Sequence, residues 1–285
     1  MSVVLSRDAD RLIRAALRED VGTGDITTRL TVPADLTASA RIVARGGGVA
    51  AGIAVCGRVF MAVDARARFK PAHRDGTGFS TGDVLAFVRG PARGLLTAER
   101  TALNFLQRLS GIATLTRRYV DAISNTKAIL LDTRKTAPGW RELEKYAVRC
   151  GGGRNHRRGL HDMVLIKDNH IAAAGSIPDA LARCRGTRAA VEIEVRTLAE
   201  LDQALACDAG RILLDNMTLA QLRRAVALNR GRARLEASGG INLRRIRRVA
   251  ATGVDFISVG AITQSAPAAD IAFDFDAVPR APGVR

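Results

Sequence analysis

The sequence predicts an α/β protein in which a small α+β module precedes a barrel-like array of parallel strands. Three observations carry this. From residue 128 onward, six short β-rich runs alternate with amphipathic helical segments. The later runs recur about every 20–25 residues, the length of a compact β-α-β unit with short loops. Each run ends on charged, polar or glycine-rich residues, as strands do when their carboxyl ends floor a site.

The 285 residues give room for a barrel-sized domain with a smaller companion, and an apolar fraction of 47% is enough for a packed core. No apolar run approaches a membrane span, and the opening stretch MSVVLSRDADRLIRAALRED mixes charge with apolar residues as a surface helix does. A cytoplasmic protein without a signal peptide or membrane partner is expected. Cys56, Cys150, Cys184 and Cys207 form no CxxC pair and read as small core residues, with no disulfide frame or zinc site. The net charge of +16 arises from 39 arginines against 5 lysines, spread along the whole chain. In the densest cluster, INLRRIRRVAATG, Arg244, Arg245, Arg247 and Arg248 alternate at helical spacing with Ile246, Val249 and Ala250, the pattern of a solvated face opposite a buried one. No aromatics interleave these arginines, so no nucleic-acid partner is expected.

Taken in order, residues 1–105 form the first module: a helix, then β-prone segments such as ASARIVARGGGVAAG and GDVLAFVRG among glycine-rich turns. The stretch TAERTALNFLQRLSGIATLTRRYVDAI is helical, with a break expected near Ser110 and Gly111. Residues 106–269 form the barrel-like part, with strands in AILLD, MVLI, VEIEV, RILLD, RLEAS and FISVG. Helices are expected in WRELEKYAVRC, IPDALARC, LAELDQALA, LAQLRRAVAL and LRRIRRVAA. The alternating tail within residues 270–285, DIAFDFDAV, suits a strand of either part and can return to the first module.

MVLI runs directly into Lys167, Asp168, Asn169 and His170, without a glycine or proline to turn the chain. The other strands end alike: on Asp132, Thr133, Arg134 and Lys135, near Glu194, on Asp215, on Ser238-Gly239-Gly240, and on Gly260-Ala261. Two of the five lysines fall at these ends in a chain that otherwise uses arginine. Lysine presents a point charge and arginine a bidentate fork, both suited to phosphate or carboxylate. Glu194 and Asp215, on successive strands, are suited to holding Mg²⁺ or stabilising a cation developing on a sugar ring. The glycine-rich ends suit backbone donation to a phosphate. Together they indicate an anionic, phosphate-bearing substrate, a metal and a carboxylate-rich second ligand. A single strand-end acid or lysine is more often a cap or a surface ion pair, and one SGG is usually a turn, so the weight rests on their recurrence. His156, His161 and His170 lack metal-pair spacing, and no histidine ligation is expected.

These segments resemble the quinolinate phosphoribosyltransferase family (the nicotinate-nucleotide pyrophosphorylases), of the type II phosphoribosyltransferases. The resemblance runs through EDVGTGDITT, RGLLTAERTALNFLQRLSGIATLT, DTRKTAPGWRELEKYAVRCGGGRNHRRGLHDMVLIKDNHI, ILLDN, EASGG and ISVGAIT. It implies an N-terminal α/β sandwich joined to an incomplete α/β barrel. It also implies Mg²⁺-dependent reaction of quinolinate with phosphoribosyl pyrophosphate, giving nicotinate mononucleotide, pyrophosphate and CO₂ in de novo NAD synthesis. The family's quinolinate-binding cations fall on Arg134, His156, Arg157 and Lys167, with Arg100 contributed by the partner in a homodimer. Lys135, Glu194 and Asp215 match positions near the ribosyl pyrophosphate and its metal. Thr133, Ser238, Gly239, Gly240, Gly260 and Ala261 complete the substrate-binding set. Lys135, Lys167, Glu194 and Asp215 are the residues expected to carry the chemistry. EDVGTGDITT, which superficially resembles a phosphoribosyl-pyrophosphate loop, follows a helix instead of a buried strand and reads as structural. The competing readings are a relative with another acceptor, such as a molybdenum-transport-associated or nicotinate-specific transferase, and a basic nucleic-acid-binding barrel. The full set of cations argues against the first and the strand-end acids against the second.

Overall fold

The structure is a computed structural model in which residues 6–276 are described. Two compact units divide the chain, the first drawn from Met1–Leu115, Ala137–Gly151 and Ala266–Arg285, the second from Thr116–Thr136 and Gly152–Ser265. Among the described residues no helix is long and apolar enough to cross a membrane.

The first unit opens with α1 (Arg7–Val21) and α2 (Ile26–Thr31), followed by β1 (Thr37–Ala44), β2 (Gly48–Val49), α3 (Ile53–Val63), β3 (Arg68–Pro71), β4 (Gly78–Phe79) and β5 (Val84–Pro91). Ser6 caps α1 by accepting from the Ala9 N–H, and Asp25 caps α2 by accepting from the Thr28 N–H. EDVGTGDITT spans the end of α1, a short turn and the start of α2, and its acids bond within the protein: Asp20 accepts from the Thr101 hydroxyl, and Asp25 from the hydroxyls of Thr28 and Thr97. The tail strand, β12 (Ile271–Phe275), pairs antiparallel with β1 in a sheet ordered β12-β1-β5-β3, so the described part of the tail belongs to this unit. Alternate residues of β1, among them Ala40 and Ile42, are buried, and Phe60 of α3 stacks on Phe69 and Phe273 beneath the sheet.

Two features differ from expectation. The helix α4 (Ala92–Ile123) runs unbroken for 32 residues through Ser110 and Gly111. Ser110 is turned to the protein, its Oγ accepting from the Ala51 N–H, and Gly111 lies so close to the Pro267 backbone that a Cβ would collide with the carbonyl oxygen. These small residues serve packing, so they do not interrupt the helix. The second difference is α5 (Arg141–Cys150), expected among the barrel helices but lying in the first unit. Its neighbours explain this. Glu144 accepts from Arg108, Tyr146 donates to Asp75 at 2.7 Å, and Trp140 before it stacks on Phe105.

The second unit holds six parallel strands, β6 (Ile129–Leu131), β7 (Val164–Ile166), β8 (Val191–Val195), β9 (Arg211–Asp215), β10 (Arg234–Ser238) and β11 (Phe256–Ser258). Their order is β6-β11-β10-β9-β8-β7, so the first strand of the unit pairs with the last. That is the order of a barrel opened between β6 and β7, with no ladder joining those two strands. After β7 come α6 (Asp168–Ala174) and α7 (Ile177–Arg183). Then α8 (Leu198–Ala206), α9 (Leu219–Asn229), α10 (Leu243–Ala250) and α11 (Ala261–Gln264) follow β8 to β11 in turn. Thr197 with Glu200 and Thr218 with Gln221 form capping boxes that start α8 and α9. On α10 Ile246, Val249 and Ala250 are buried, while Arg244, Arg247 and Arg248 are exposed, as the periodicity requires.

The registers decide which side chains share a face. Leu165 lies opposite Glu192, Leu213 opposite Glu236, and Asp215 opposite Ser238. Alternation along each strand then brings Glu192, Glu194, Leu213, Asp215, Glu236 and Ser238 to one side of the sheet. Ile193, Ile212, Leu235 and Ile257, at most 1% exposed, form the other side.

Replacing Gly111 by alanine is expected to destabilise the protein by about 1–3 kcal/mol, the usual cost of overpacking, because the obstacle is backbone. Urea unfolding of the variant against the parent checks this.

Candidate active site

The carboxyl ends of the parallel strands enclose a cavity of about 660 Å³, lined entirely by residues of the second unit. The loop after β6 supplies Thr133, Arg134 and Lys135; His156 and Arg157 come from the segment bridged to β6 through Arg154; Lys167 follows β7. Glu194 and Asp215 stand on β8 and β9, Ser238, Gly239 and Gly240 end β10, and Gly260 and Ala261 start α11. Of the candidate residues taken from the sequence, Arg100 alone does not line this cavity; it is exposed on α4, in the first unit.

Local bonds hold these groups. The Lys135 N–H donates to Thr133 Oγ1, and the Thr263 hydroxyl donates to the Lys135 carbonyl, so the β6 loop is pinned from both sides. Asp132, fully buried, accepts from Asn155 Nδ2 and from the His156 N–H, fixing the segment that carries His156 and Arg157. Gly239 has φ +92°, and a side chain there would meet Asn216, so only glycine permits this turn.

Neither strand-end acid is isolated. Glu194 lies 3.2 Å from Lys167 Nζ, and Asp215 lies 3.6 Å from Arg196 Nε, whose Nη2 also reaches Asp168 at 2.8 Å. Arg196 lines the cavity and was not singled out in the sequence, because one more arginine among 39 carries no signal.

At the floor of the cavity lies a buried ionic network of which only His156 was singled out from the sequence. Glu192 and Glu236, both fully buried, share the guanidinium of Arg211. Its Nε donates to Glu192 Oε1 at 2.7 Å and its Nη2 to Glu236 Oε2 at 2.5 Å. The Phe256 ring covers Arg211 at 4.6 Å. His156 Nε2 lies 2.8 Å from Glu192 Oε2, and Nδ1 accepts from the Arg157 N–H at 2.8 Å. The cluster of His156, Glu192 and Glu236 has the ligand types of a metal site, but both carboxylates are already bound by Arg211. The sequence signal was the alternation in VEIEV and RLEAS, which places Glu192 with Glu194 and Glu236 with Ser238.

The two carboxylates are driven apart. Burial pushes Glu236 up to about 7, the charge of Glu192 adds to this, and His156 and Arg211 only partly offset it. Burial also opposes the charge on Glu192, but the hydrogen bond and charge of His156, with Arg211, outweigh it and hold this acid below its ordinary value. Burial, then the neighbouring charge of Arg134, lowers Arg157.

Fold and cavity define an α/β protein with a cavity rich in cationic side chains at the carboxyl ends of its parallel strands. The chain matches the family described as quinolinate phosphoribosyl transferase, through its C-terminal domain over residues 112–274 and its N-terminal domain over residues 25–110. It is 48% identical over 273 residues to nicotinate-nucleotide pyrophosphorylase (carboxylating) of Mycobacterium leprae, covering 92% of this chain and 95% of the relative. It is 42% identical over 291 residues to the chloroplastic protein of that name from Arabidopsis thaliana, covering 94% and 83%. The solved structure of the nicotinate-nucleotide pyrophosphorylase from Francisella tularensis superposes with a TM-score of 0.90 at 42% identity, covering 94% of this chain and 96% of that one. Human nicotinic acid phosphoribosyltransferase, at 14% identity and a TM-score of 0.65, shares the fold. The chain belongs to the quinolinate phosphoribosyltransferase family.

Glu236 generates a prediction. Its value is raised from 4.5 to about 7 on folding, so the stability it contributes is complete below pH 4.5 and is lost as pH rises through about 7. Glu236→Gln carries no such titration. The melting temperature of the parent relative to this variant is expected to fall by several degrees between pH 5 and pH 8, as read from thermal melts at the two values.

Proposed function

We propose that this protein transfers the phosphoribosyl group of phosphoribosyl pyrophosphate to quinolinate with decarboxylation, giving nicotinate mononucleotide, pyrophosphate and CO₂. The observation that carries the reading is the assembly of Arg134, Lys135, Arg157 and Lys167 around one cavity in a chain of this family. Quinolinate has two adjacent carboxylates, and clustered guanidinium and ammonium groups are their counterpart.

The placement of the side chains supports the following roles. Arg134, Arg157 and Lys167 orient the dicarboxylate so that its ring nitrogen faces the sugar. The backbone turns at Ser238-Gly239-Gly240 and Gly260-Ala261, with Thr133, receive phosphate oxygens, and Lys135 lies beside them. As the bond from the ribose to pyrophosphate breaks, positive charge grows on the sugar, and Glu194 and Asp215 stabilise it. The ring nitrogen forms the new bond to the sugar. The C2–carboxylate bond then breaks and CO₂ leaves, its electron pair staying on C2, stabilised by the adjacent positive ring nitrogen, until C2 takes up a proton. No protein nucleophile is required.

The acids also suit Mg²⁺. Glu194 and Asp215 offer hard oxygen ligands on adjacent strands, each steadied by a cation. Two such groups are too few to cage the ion, which fits a Mg²⁺ held mainly by the pyrophosphate and water. When bound, the ion would neutralise charge on the leaving pyrophosphate. The reading includes a homodimer in which Arg100 serves the neighbour's site. It is supported by the exposure of Arg100 and by Ile26 and Leu30, 61% and 76% exposed four residues apart on α2, an apolar pair that a second copy would cover.

Two experiments test this. Purified protein with Mg²⁺, phosphoribosyl pyrophosphate and carboxyl-labelled quinolinate should release labelled CO₂ together with nicotinate mononucleotide, and nicotinate should not substitute. Lys167→Ala should lower kcat/KM for quinolinate by roughly a hundredfold. For the shared site, Arg100→Ala and Lys167→Ala proteins, each nearly inactive, should regain part of the activity when mixed under subunit exchange. Exchange without recovery would count against it.

A further inference from the structure

Among the described residues, three other than glycine hold a positive φ: Asp208, Asn216 and Arg230. Arg230 closes α9, and Asp208 follows the last turn of α8, where a left-handed residue is a common ending. Asn216, at φ +55°, has no helix before it. It follows the last residue of β9 and lines the cavity. A left-handed residue at a strand end carries a steric cost that its surroundings must support, and asparagine is one of the few side chains that tolerates it.

The surroundings are specific. The Asn216 N–H donates to the Ser238 carbonyl at 2.9 Å, so the bonding between β9 and β10 extends one residue past Asp215. Met217, the next residue, is buried, and its carbonyl accepts from Arg245 Nη2 at 2.9 Å. The backbone is thus fixed on both sides of the left-handed turn. Asn216 Nδ2 donates to Asp215 Oδ2 at 3.1 Å, and Asn216 Oδ1 fills the space that a Cβ on Gly239 would need. The glycine turn therefore seats the amide against the acid. Arg196 Nε reaches the same carboxylate oxygen, Oδ2, at 3.6 Å. Both partners hold Asp215 by one oxygen, and Oδ1 is left to the cavity.

We infer that Asn216 is a positioning residue, which holds Asp215 by Oδ2 and so presents Oδ1 to the sugar and its metal. This rests on the reading of the cavity as a site of phosphoribosyl transfer. A carboxylate that turns freely faces the growing positive charge only part of the time, whereas one held by a hydrogen bond is already oriented when the charge appears. Asn216 acts through Asp215, and the left-handed backbone is what brings its amide back onto the preceding side chain.

Asn216→Gly separates positioning from stability, because glycine takes a positive φ without steric cost while the amide is lost. The full-length variant should melt at or above the parent, or at most about two degrees below it. Its kcat should nevertheless fall roughly tenfold, with KM for quinolinate within about twofold. A lowered melting temperature with kcat unchanged would mean a merely structural role and overturn the inference. Asn216→Asp tolerates the same backbone but sets a second carboxylate beside Oδ2, and its kcat should fall at least as far. In an Asp215→Asn background, Asn216→Gly should add no further loss, since its effect passes through the missing carboxylate; independent losses would count against it. The check that needs no substrate is the crystal structure of ligand-free Asn216→Gly, in which the Asp215 carboxylate should leave its orientation. An unmoved carboxylate would overturn the inference. Should Asn216→Gly fail to fold, Asn216→Asp carries the same measurements. If the parent turned over no quinolinate, the proposed function would fall, while that structure would still decide whether Asn216 holds Asp215.

Discussion

Cations crowded into one cavity repel one another, and that repulsion is the constraint around which the second unit is organised. Burial, and then the nearby charge of Arg134, oppose the charge of Arg157. In a partly dry site the cost would be several kcal/mol without compensation. It is met by a layer of acids directly beneath: Glu192 and Glu236 on the floor, Glu194 and Asp215 on the wall. The floor acids would in turn repel each other, and Arg211 between them, with His156 beside them, removes that difficulty. Each of these four acids therefore lies within ion-pair distance of a cation.

Such layering is a direct product of strand geometry. In a parallel sheet every second side chain points to the same face, and neighbouring strands lie in step. A residue two positions before a strand-end group therefore lies one layer deeper. Glu192 under Glu194, Glu236 under Ser238, and Arg211 two layers under Asp215 follow from this rule and the observed registers. The apolar residues at this face, Leu165 and Leu213, fill what the ionic groups leave. The opening between β6 and β7 leaves the array a curved sheet with two edges instead of a closed cylinder.

Much of this was legible in the chain. Recurrent β-rich runs with polar ends marked all six strands, and the strand-end residues Arg134, Lys135, Lys167, Glu194, Asp215 and the glycine turns line the cavity together. The expected break at Ser110-Gly111 was misplaced because glycine serves close packing as well as helix termination, and only the approach of Pro267 distinguishes the two. The WRELEKYAVRC helix was assigned by its neighbours in sequence, whereas its contacts with Arg108, Asp75 and Phe105 place it with the first unit. Arg196 and Arg211 were hidden by composition, since arginine is everywhere in this protein.

The sequence by itself determined the period of each element and the chemistry at each strand end, because side-chain alternation and capping are local properties of a few consecutive residues. Only the tertiary structure decided which acids meet which cations. Glu192, Glu194 and Glu236 are alike as letters, yet one is held ionised, one pairs with Lys167 at the wall, and one is driven toward neutrality. Their differences come from burial and from partners far away in the chain, and long-range proximity in a medium of low dielectric has no local signature.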